Sequence, residues 1–588
     1  MKTKETKKTV QICIMILFTI SIGICEKLNN SNLKTDIFGK TFKIRENLLK
    51  REFNYDYDIR GRKDLVNPEI IQDMIHKSTE NSWENSWTKH LEDLQSLESS
   101  ESLIKCEPGN SGPFRFGATK VGQLKSQDNR LKIETYCYKN LDIKFIWRNK
   151  NTLSIYTVGW WKKSILCPDS ILIHFGNHIF LQTLMVPGVH VKNIEGLSEF
   201  DKEFIKYKGI EIYKFCNKVT NILPSIFNTA RLFLGGLGSK PYIPFFGSKV
   251  PMYMQELNAK FIKQATGYQW KKRKIGGLVQ LDESYIKNGD VLLITRMDGL
   301  DNIIHWGSGS HTGHCVMALW DESGFEPVLY IVESQDAWYW PTKGIQKTKY
   351  KDWIHYAHNA DFNVIHLPLS QKARFNFDVQ AAWRWFNKTE GMPYGFRNFL
   401  FTFWDTPTEN FPEAIDINFV TIIFKVLENI SFLKGDKGVD RVVKEALNWR
   451  IGTKNLSISE LDLEIAKRNL TIAEVGSIPE KDYIEYSDGY SYVCSSYVIS
   501  LYKEGGLFKG LEINPSEFTP RDLYMLTIFD SKNDRPQACV EADPELPYCQ
   551  LMGDWIVEIP GWNTVVPYNK MNERCPSLAP EYERPRGC

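Results

Sequence analysis

Alternation of apolar and polar residues is the clearest pattern in the first third of the chain. The segments 129–138, 141–148 and 152–161 alternate between turn signals, as half-buried antiparallel strands do. Residues 101–200 are therefore predicted to form a small β-rich domain. The preceding stretch, 26–100, is charged and polar, and predicts helices and loops of a pro-segment or a lid-like extension.

A second run of strands is predicted after residue 276. The segments 288–296, 312–320 and 328–334 are apolar and are separated by turn residues, a pattern that indicates an antiparallel β-meander. The intervening residues, 201–275, predict a connecting helical segment.

Two later segments have the spacing of amphipathic helices. Residues 377–391 end at Gly391, and residues 491–508 contain Gly505 near their end; a glycine that follows helical apolar spacing is a common helix stop. With the meander, these helices predict the α+β class, in which an antiparallel sheet packs on helices. The tail, 511–588, is rich in cysteine and proline and predicts a wrapping segment pinned by disulfides.

The first 25 residues predict a secretory signal peptide. Four lysines precede an apolar run from Val10 to Cys25, and a positive region followed by an apolar segment of this length is typical of such signals. A retained membrane anchor needs about 20 apolar residues, which is more than the run provides. We therefore expect a protein that is secreted or lies in the endolysosomal lumen, with no stable membrane span after cleavage.

Length and composition indicate a globular protein of several domains and give no sign of a nucleic-acid partner. At roughly 100–200 residues per domain, 588 residues suggest about three or four domains. The chain is 42% apolar and 24% charged, which is close to globular averages. Its net charge of +2 gives no argument for a nucleic-acid partner.

Secretion changes how the cysteines are interpreted. The chain has 12 cysteines, and ten remain once Cys13 and Cys25 are removed with the signal peptide; in an oxidising compartment each of the ten is expected to form a disulfide by default. No Cys-x-x-Cys pair or Cys/His cluster has zinc-ligand spacing, so neither a metal nor another cofactor is expected. Glycosylation sequons, which suit the secretory route, occur at Asn29, Asn387, Asn429, Asn455 and Asn469.

Cys494 is the strongest candidate for chemistry, since it stands near the start of the predicted helix 491–508. A helix N-terminus lowers the thiol pKa, and its free N–H groups can meet an oxyanion. The alternative is a structural half-cystine. A nucleophilic Cys494 requires a histidine at the edge of a nearby strand and an acceptor that orients it.

His311 and His314 are the candidate bases. In a regular strand their side chains point to opposite faces, which also disfavours a metal site formed by the two histidines and Glu333. Counting across the turn places Glu333 opposite His314 or its neighbour. A bulge or a different register is needed to bring His311 and Glu333 onto one face, and the residues leave this open.

Five motifs carry a resemblance to a known family: "NGDVLLI", "SHTGHCVM", "YIVES", "GMPYGF" and "YVCSSYV". In this order they resemble the permuted papain-like cysteine hydrolases of the NlpC superfamily, in particular the YiiX-like branch. The resemblance covers residues 276–510, with an insert at about 405–485, and implies a permuted papain-like core. It makes Cys494 the nucleophile, His311 the base and Glu333 its orienter.

The resemblance also suggests residues that contact substrate. Tyr394 would line the cleft or help to hold the oxyanion, and the further candidates for substrate or oxyanion contacts are Ser495, His314 and Trp338. Ser496 stands where the family usually has Glu, and His314 where it usually has an apolar residue, so the substrate does not follow from the family.

The implied function is a secreted thiol hydrolase that cleaves an amide (peptide) or ester bond, with a peptide, amide or lipid ester as substrate. An acyltransferase would use the same residues. The alternative from another class is a non-catalytic extracellular binding or structural glycoprotein, in which Cys494 is paired. A free thiol at Cys494 would favour the enzyme.

Overall fold

The structure is a computed structural model. It describes residues 115–571 except for 136, 162–168, 185, 216–218, 235–248, 276, 336–343, 404–415, 429–439, 477, 479–483 and 532–534. All described residues belong to one compact unit that includes Leu103–Cys588. The expected signal peptide, the extension 26–100, Trp338, Asn29 and Asn429 lie outside the described residues.

The first part of the described chain is a pair of antiparallel sheets. Their strand orders are β1-β8-β5-β6 and β2-β3-β4-β7. The strands are β1 (Ala118–Leu124), β2 (Leu131–Ile133), β3 (Tyr138–Asn149), β4 (Thr152–Trp161), β5 (Asp169–Phe175), β6 (His178–Leu184), β7 (Gly188–Glu195) and β8 (Ile210–Phe215).

The alternation in the sequence produces the core between these two sheets. On β3, Leu141, Ile143 and Phe145 are fully buried, while the residues between them are partly exposed. They share one core with Ile173 of β5 and Ile212 of β8, as in a β-sandwich. The expected β-rich region is present, and its sheet extends beyond residue 200 because β8 pairs with both β1 and β5.

A second, larger sheet follows, with the strand order β13-β12-β11-β10-β14-β17 and antiparallel pairing throughout. Its edge strand β17 comes from the C-terminal tail, so this segment is part of the sheet and does more than wrap around it. The remaining strands are β9 (Lys271–Lys272), β10 (Val291–Thr295), β11 (His314–Asp321), β12 (Val328–Gln335), β13 (Gly344–Lys349), β14 (Asn363–Leu367), β15 (Glu485–Tyr486), β16 (Gly489–Tyr490), β17 (Cys549–Met552) and β18 (Trp555–Ile556).

The helices connect and cover these sheets. The α-helices of the described residues are α1 (Glu199–Tyr207), α2 (Val219–Leu234), α3 (Met252–Thr266), α4 (Gly299–Ser308), α5 (Tyr350–Asn359), α6 (Gln371–Asn376), α7 (Val379–Thr389), α8 (Phe396–Phe399), α9 (Ile417–Glu428), α10 (Glu445–Arg450), α11 (Ile458–Lys467), α12 (Ile472–Gly476), α13 (Cys494–Glu504), α14 (Pro520–Met525) and α15 (Gln537–Ala542).

The two faces of the large sheet have different partners. Alternate residues of β11 point to opposite sides, so Met317 packs in a core with Val498 of α13, while Val316 packs in another with Trp353 of α5. Sheet and helices together confirm the α+β class. The predicted strands 288–296, 312–320 and 328–334 and the two predicted helices are also present.

The insert forms helices α9–α12, which pack against the β-sandwich. Leu427 of α9 and Leu461 of α11 share a core with Leu172 and Tyr213 of the sandwich. The insert therefore has a structural contact with the N-terminal β-rich region.

A buried network of charges reinforces that contact. Lys425 of α9 donates to Asp462 of α11 over 2.6 Å and to Nε2 of His174 over 3.1 Å. His174 then donates through Nδ1 to Glu211 of β8 over 2.7 Å, and Lys208 contacts both Glu211 and Asp462. The side chains of His174, Glu211, Lys425 and Asp462 are at most 3% exposed, and buried charges are tolerated only when they are paired in this way.

The cysteines of the described chain divide into two groups. Cys539 and Cys549 form a disulfide between α15 and β17, and Cys137 is also disulfide-bonded. Cys315 and Cys494 are free and buried. Among the described residues, none of the helices combines the length and the apolarity that crossing a bilayer would require.

Candidate active site

Cys494 is the first residue of α13. Val493 is the N-cap, and its carbonyl accepts the first helical hydrogen bond, from Tyr497 N. The N–H groups of the first turn have no partner one turn earlier, as at every helix start, and they give this end a partial positive charge. The Cys494 side chain is therefore where the sequence predicted it, with an exposed fraction of 4%.

The segment before α13 is fixed on two sides. The carbonyl of Tyr492 accepts a hydrogen bond from Ser334 Oγ of β12 over 2.7 Å and another from Gly395 N over 3.0 Å. A Cβ on Gly395 would lie 2.3 Å from the carbonyl carbon of Tyr492, so this close approach requires glycine. Both contacts set the position at which Cys494 enters the helix.

The start of β11 lies directly against this helix end. Gly313 N donates to Ile294 O over 3.0 Å, and the Cys494 sulfur lies 3.9 Å from Gly313 O. A Cβ on Gly313 would lie 2.2 Å from the carboxyl carbon of Asp301. Glycine at this position therefore lets α4, which carries Asp301, pack beneath the strand that brings His314 to the site.

His314 connects two other groups of the site. Its Nε2 is 2.8 Å from Glu333 Oε2, and the sulfur of Cys494 interacts with the ring and raises the pKa of His314. Because Nε2 faces the carboxylate, Nδ1 is the nitrogen available to the sulfur. Register explains the Glu333 contact: β11 and β12 pair Met317 with Val332, so His314 and Glu333 lie on one face, one diagonal step apart.

Electrostatics favour charge separation between the sulfur and the imidazole. Burial disfavours a charged His314, but its hydrogen bonds to Cys494 and Glu333 raise its pKa to about 10. The pKa of Cys494 is held well below its usual range by a hydrogen bond from the Cys315 thiol, which outweighs burial, and then by His314. A thiolate beside an imidazolium is the reactive form of a nucleophilic cysteine.

His311 does not occupy the place expected for it. Its Nδ1 lies 2.7 Å from Glu558 O, and its ring stacks on His305 and contacts Tyr268, with centroid distances of 4.6 and 4.1 Å. Burial lowers the pKa of His311 to about 4. The expectation that His311 contacts Glu333 and Cys494 is therefore corrected in favour of His314.

The physical reason for this correction is the point at which β11 begins. Residues 309–313 form a turn and are not part of the strand, so the resemblance placed the histidine three residues too early. Direct counting across the hairpin puts Glu333 opposite His314 or its neighbour, whereas extending the observed Met317–Val332 pairing puts Glu333 opposite Val316, one diagonal step from His314. Counting from the sequence therefore placed Glu333 near His314, whereas the family motif pointed to His311.

Other candidate residues have different surroundings. Ser495 is fully buried, and its hydroxyl donates to Phe518 O over 2.7 Å, so this side chain is not directed at a reacting carbonyl. Tyr394 is buried, and its ring meets Phe396 edge-on at 4.9 Å, in the segment that packs on Tyr492. The side chains of Ser495 and Tyr394 therefore make packing and hydrogen-bond contacts with neighbouring residues.

The exposed sequons differ in accessibility. Asn455 and Asn469 are exposed and adopt left-handed backbone conformations at turns. Asn387 is exposed on α7, but the hydroxyl of Thr389 in its sequon is buried and bonded to Trp385 O. The first two therefore offer the more accessible acceptor sites.

Two neighbours of the site were not anticipated. Cys315 is free and buried, and its interaction with Cys494 adds to burial in raising its pKa; Asp301 is buried next to Gly313 and interacts electrostatically with His314. Within the described ranges, no group of three or more metal-ligating side chains is assembled.

Comparison of the chain with known protein families, with curated proteins and with solved structures finds no match.

Proposed function

We propose that this protein is a thiol hydrolase that cleaves an amide or ester bond, with Cys494 as nucleophile, His314 as proton carrier and Glu333 as its orienter. One observation carries the proposal: Cys494 begins α13 with its sulfur 3.9 Å from Gly313 O, next to His314, whose Nε2 lies 2.8 Å from Glu333 Oε2. A nucleophile, a base and an acceptor that orients the base are what nucleophilic catalysis at a carbonyl requires.

The chain order of these groups supports the permuted papain-like core. The histidine and the carboxylate come from adjacent strands, β11 and β12, and the nucleophile follows on α13, which packs on the same sheet. Ordinary papain-like enzymes run cysteine before histidine. The reversed order is what the resemblance to the permuted branch implies.

The chemistry follows from the positions of the groups. The Cys494 thiolate attacks the carbonyl carbon, and the oxyanion meets the N–H groups of the first turn of α13. The His314 imidazolium gives its proton to the leaving amine or alcohol, which leaves a thioester on Cys494. Neutral His314 then takes a proton from water, the hydroxide attacks the thioester, and the acid departs with the thiolate restored.

Burial strengthens each of these steps. Cys494 and His314 are each 4% exposed, so their charges interact in surroundings that are poor in water, where electrostatic effects are larger. An acyltransferase would follow the same route to the thioester and then accept an amine or alcohol in place of water. The rate of thioester turnover with and without an added acceptor separates the two.

The free state of Cys494 weighs against the binding-protein alternative. Cys137, Cys539 and Cys549 are in disulfides, whereas Cys494 is free. In an oxidising compartment, a buried cysteine that stays reduced and contacts a histidine fits a nucleophile better than a structural half-cystine.

The test is to trap the thioester. The full chain is incubated with a p-nitrophenyl ester, quenched in acid and mapped by mass spectrometry. We expect the acyl mass on the Cys494 peptide, its loss in Cys494→Ala, and its retention in His311→Gln, which changes an equally buried histidine outside the triad. Acylation of Cys494→Ala at an unchanged rate, or no acylation at Cys494 in the native chain, would overturn the proposal.

A further inference from the structure

We propose that acid weakens the contact between the β-sandwich and the insert, because His174 cannot take up a second ring proton without losing its hydrogen bond to Lys425. The contact is the buried charge network that joins α9 and α11 to β5 and β8. This inference goes beyond the proposed function and does not depend on the role of Cys494.

Both nitrogens of the His174 ring have a charged partner. Nδ1 lies 2.7 Å from Glu211 Oε2 and carries the ring proton, since an ionised carboxylate can only accept. Nε2 lies 3.1 Å from Nζ of Lys425 and is the acceptor, since an ammonium group can only donate. The two partners therefore fix one neutral tautomer, and a proton added to Nε2 would face an ammonium group.

The surroundings of the ring make this second proton costly. The His174 side chain is fully buried on β5, and its ring meets Phe204 of α1 edge-on at 5.3 Å. A charge added in such a place is poorly compensated by water, and it is tolerated only beside an opposite charge. Protonation of His174 therefore requires Lys425, and with it α9, to move away from the sandwich.

The other charged and titratable groups of the network lie on β1, β8, α9 and α11 and in the segments next to them. They are Lys120, Lys208, Glu211, Tyr213, Asp416, Lys425 and Asp462. Histidine is the side chain whose charge ordinarily changes between pH 5 and pH 8, and His174 is the histidine of this set.

The two carboxylates on either side of His174 stay ionised in that range. Burial raises the pKa of Glu211, but Lys208 and His174 hold it well below its usual range. Burial also opposes ionisation of Asp462, yet Lys208 and Lys425 lower its pKa to about 2. Burial lowers the pKa of Lys425, and its ion pair with Asp462, over 2.6 Å, opposes this effect.

The direction of the pH effect follows from the ring. Burial, and then Lys425, lowers the pKa of His174 from 6.5 to about 4, so the open form of the contact binds the proton before the closed form does. The stability of the contact is therefore complete above pH 6.5 and is lost as the pH falls towards 4. Between pH 7 and pH 5 these two pKa values correspond to a rise of about 20-fold in the opening equilibrium constant.

The competing explanation is that the network only fills the interface and that its opening does not involve the ring. Glutamine in place of His174 separates the two explanations. Its amide can donate to Glu211 and accept from Lys425, but it does not titrate. If the ring is responsible, this variant keeps the contact and loses its dependence on pH.

The experiment measures hydrogen–deuterium exchange of the full chain at pH 7 and pH 5, with each rate divided by the intrinsic exchange rate at that pH. We expect the opening constant of the α9 and α11 peptides to rise about 20-fold in the native chain and to stay constant in His174→Gln. His190→Gln is the control, because His190 lies on β7 of the same sandwich and its Nε2 bonds Val186 O. This variant should keep the native dependence.

A second variant, Lys425→Gln, removes the ammonium group and leaves an amide that can donate to Nε2 or accept from it. It should reduce the rise, and it decides the matter if the circular dichroism spectrum shows that His174→Gln does not fold. Three results overturn the inference: no rise in the native chain, a rise in folded His174→Gln as large as the native one, or an undiminished rise in Lys425→Gln.

Discussion

Replacing His314 by glutamine is the sharpest test of the site. Glutamine can still hydrogen-bond Glu333, but it cannot carry the positive charge that stabilises the thiolate. In the native chain the pKa of His314 is raised to about 10, although burial opposes it, by the bonds to Cys494 and Glu333. The imidazolium therefore persists throughout the pH range in which the thiolate is measured.

The magnitude follows from burial of the pair. Removing one partner of a buried ion pair costs about 3–5 kcal/mol, and each pKa unit corresponds to about 1.4 kcal/mol. The pKa of Cys494 in His314→Gln should therefore rise by about 2–4. The pH at which alkylation of Cys494 reaches half of its maximal rate should therefore be about 2–4 units higher than in the native chain, so that alkylation at the native midpoint slows by about 50-fold or more.

The assay is the rate of iodoacetamide alkylation at Cys494 against pH, read by peptide mapping. The native chain should give a nearly flat profile from mildly acidic pH upwards, because its thiolate is already formed. His311→Gln is the matched control, since that histidine is also buried but bonds Glu558 O, and its profile should stay flat. A His314→Gln profile whose midpoint stays at the native pH would refute the ion pair and with it the choice of His314.

Three further outcomes are expected. Glu333→Gln removes a carboxylate hydrogen-bonded to Nε2 of His314, so the pKa of that histidine should fall in an NMR titration. An unchanged pKa would show that Glu333 does not stabilise the charged form of His314. Burial lowers the pKa of His311 to about 4, so the unfolded chain binds its proton first and the free energy of unfolding should drop by about 3 kcal/mol between pH 6.5 and 4. Urea melts of His311→Gln should lose that part of the dependence, and an identical slope would contradict it. Replacing Cys539 and Cys549 by serine opens a short disulfide loop and should cost about 2–3 kcal/mol in urea unfolding, whereas equal stability would mean that the loop is already ordered in the unfolded state.

Local patterns in the sequence were sufficient for much of the fold. Alternation predicted β3 and β4 and the meander of β10–β12, and helical spacing with a terminal glycine predicted α7 and α13. These signals depend only on residues that are close in sequence, because side chains return to the same face every second residue in a strand and every third or fourth residue in a helix. The position of Cys494 at a helix start followed from the same reasoning.

Pairing between strands that are far apart in the sequence was harder to predict. The entry of β8 into the first sheet and of β17 into the second joins segments far apart in sequence, and no local period encodes such pairings. Which histidine belongs to the site depends on the residue at which β11 begins. A shift of three residues there separates His314, which meets Glu333, from His311, whose ring packs against His305 and Tyr268.

The charge network between the sandwich and the insert determines where this protein can be shortened. A fragment starting after residue 250 would retain Lys425 and Asp462 but lose His174, Glu211 and Lys208, which complete their hydrogen bonds. It would also uncover the apolar surface of α9 and α11 that meets Leu172 and Tyr213. The smallest soluble piece with an intact thiol centre should therefore begin before β1, and the amino-terminal sheets should be as necessary to expression as the strands that carry His314 and Glu333.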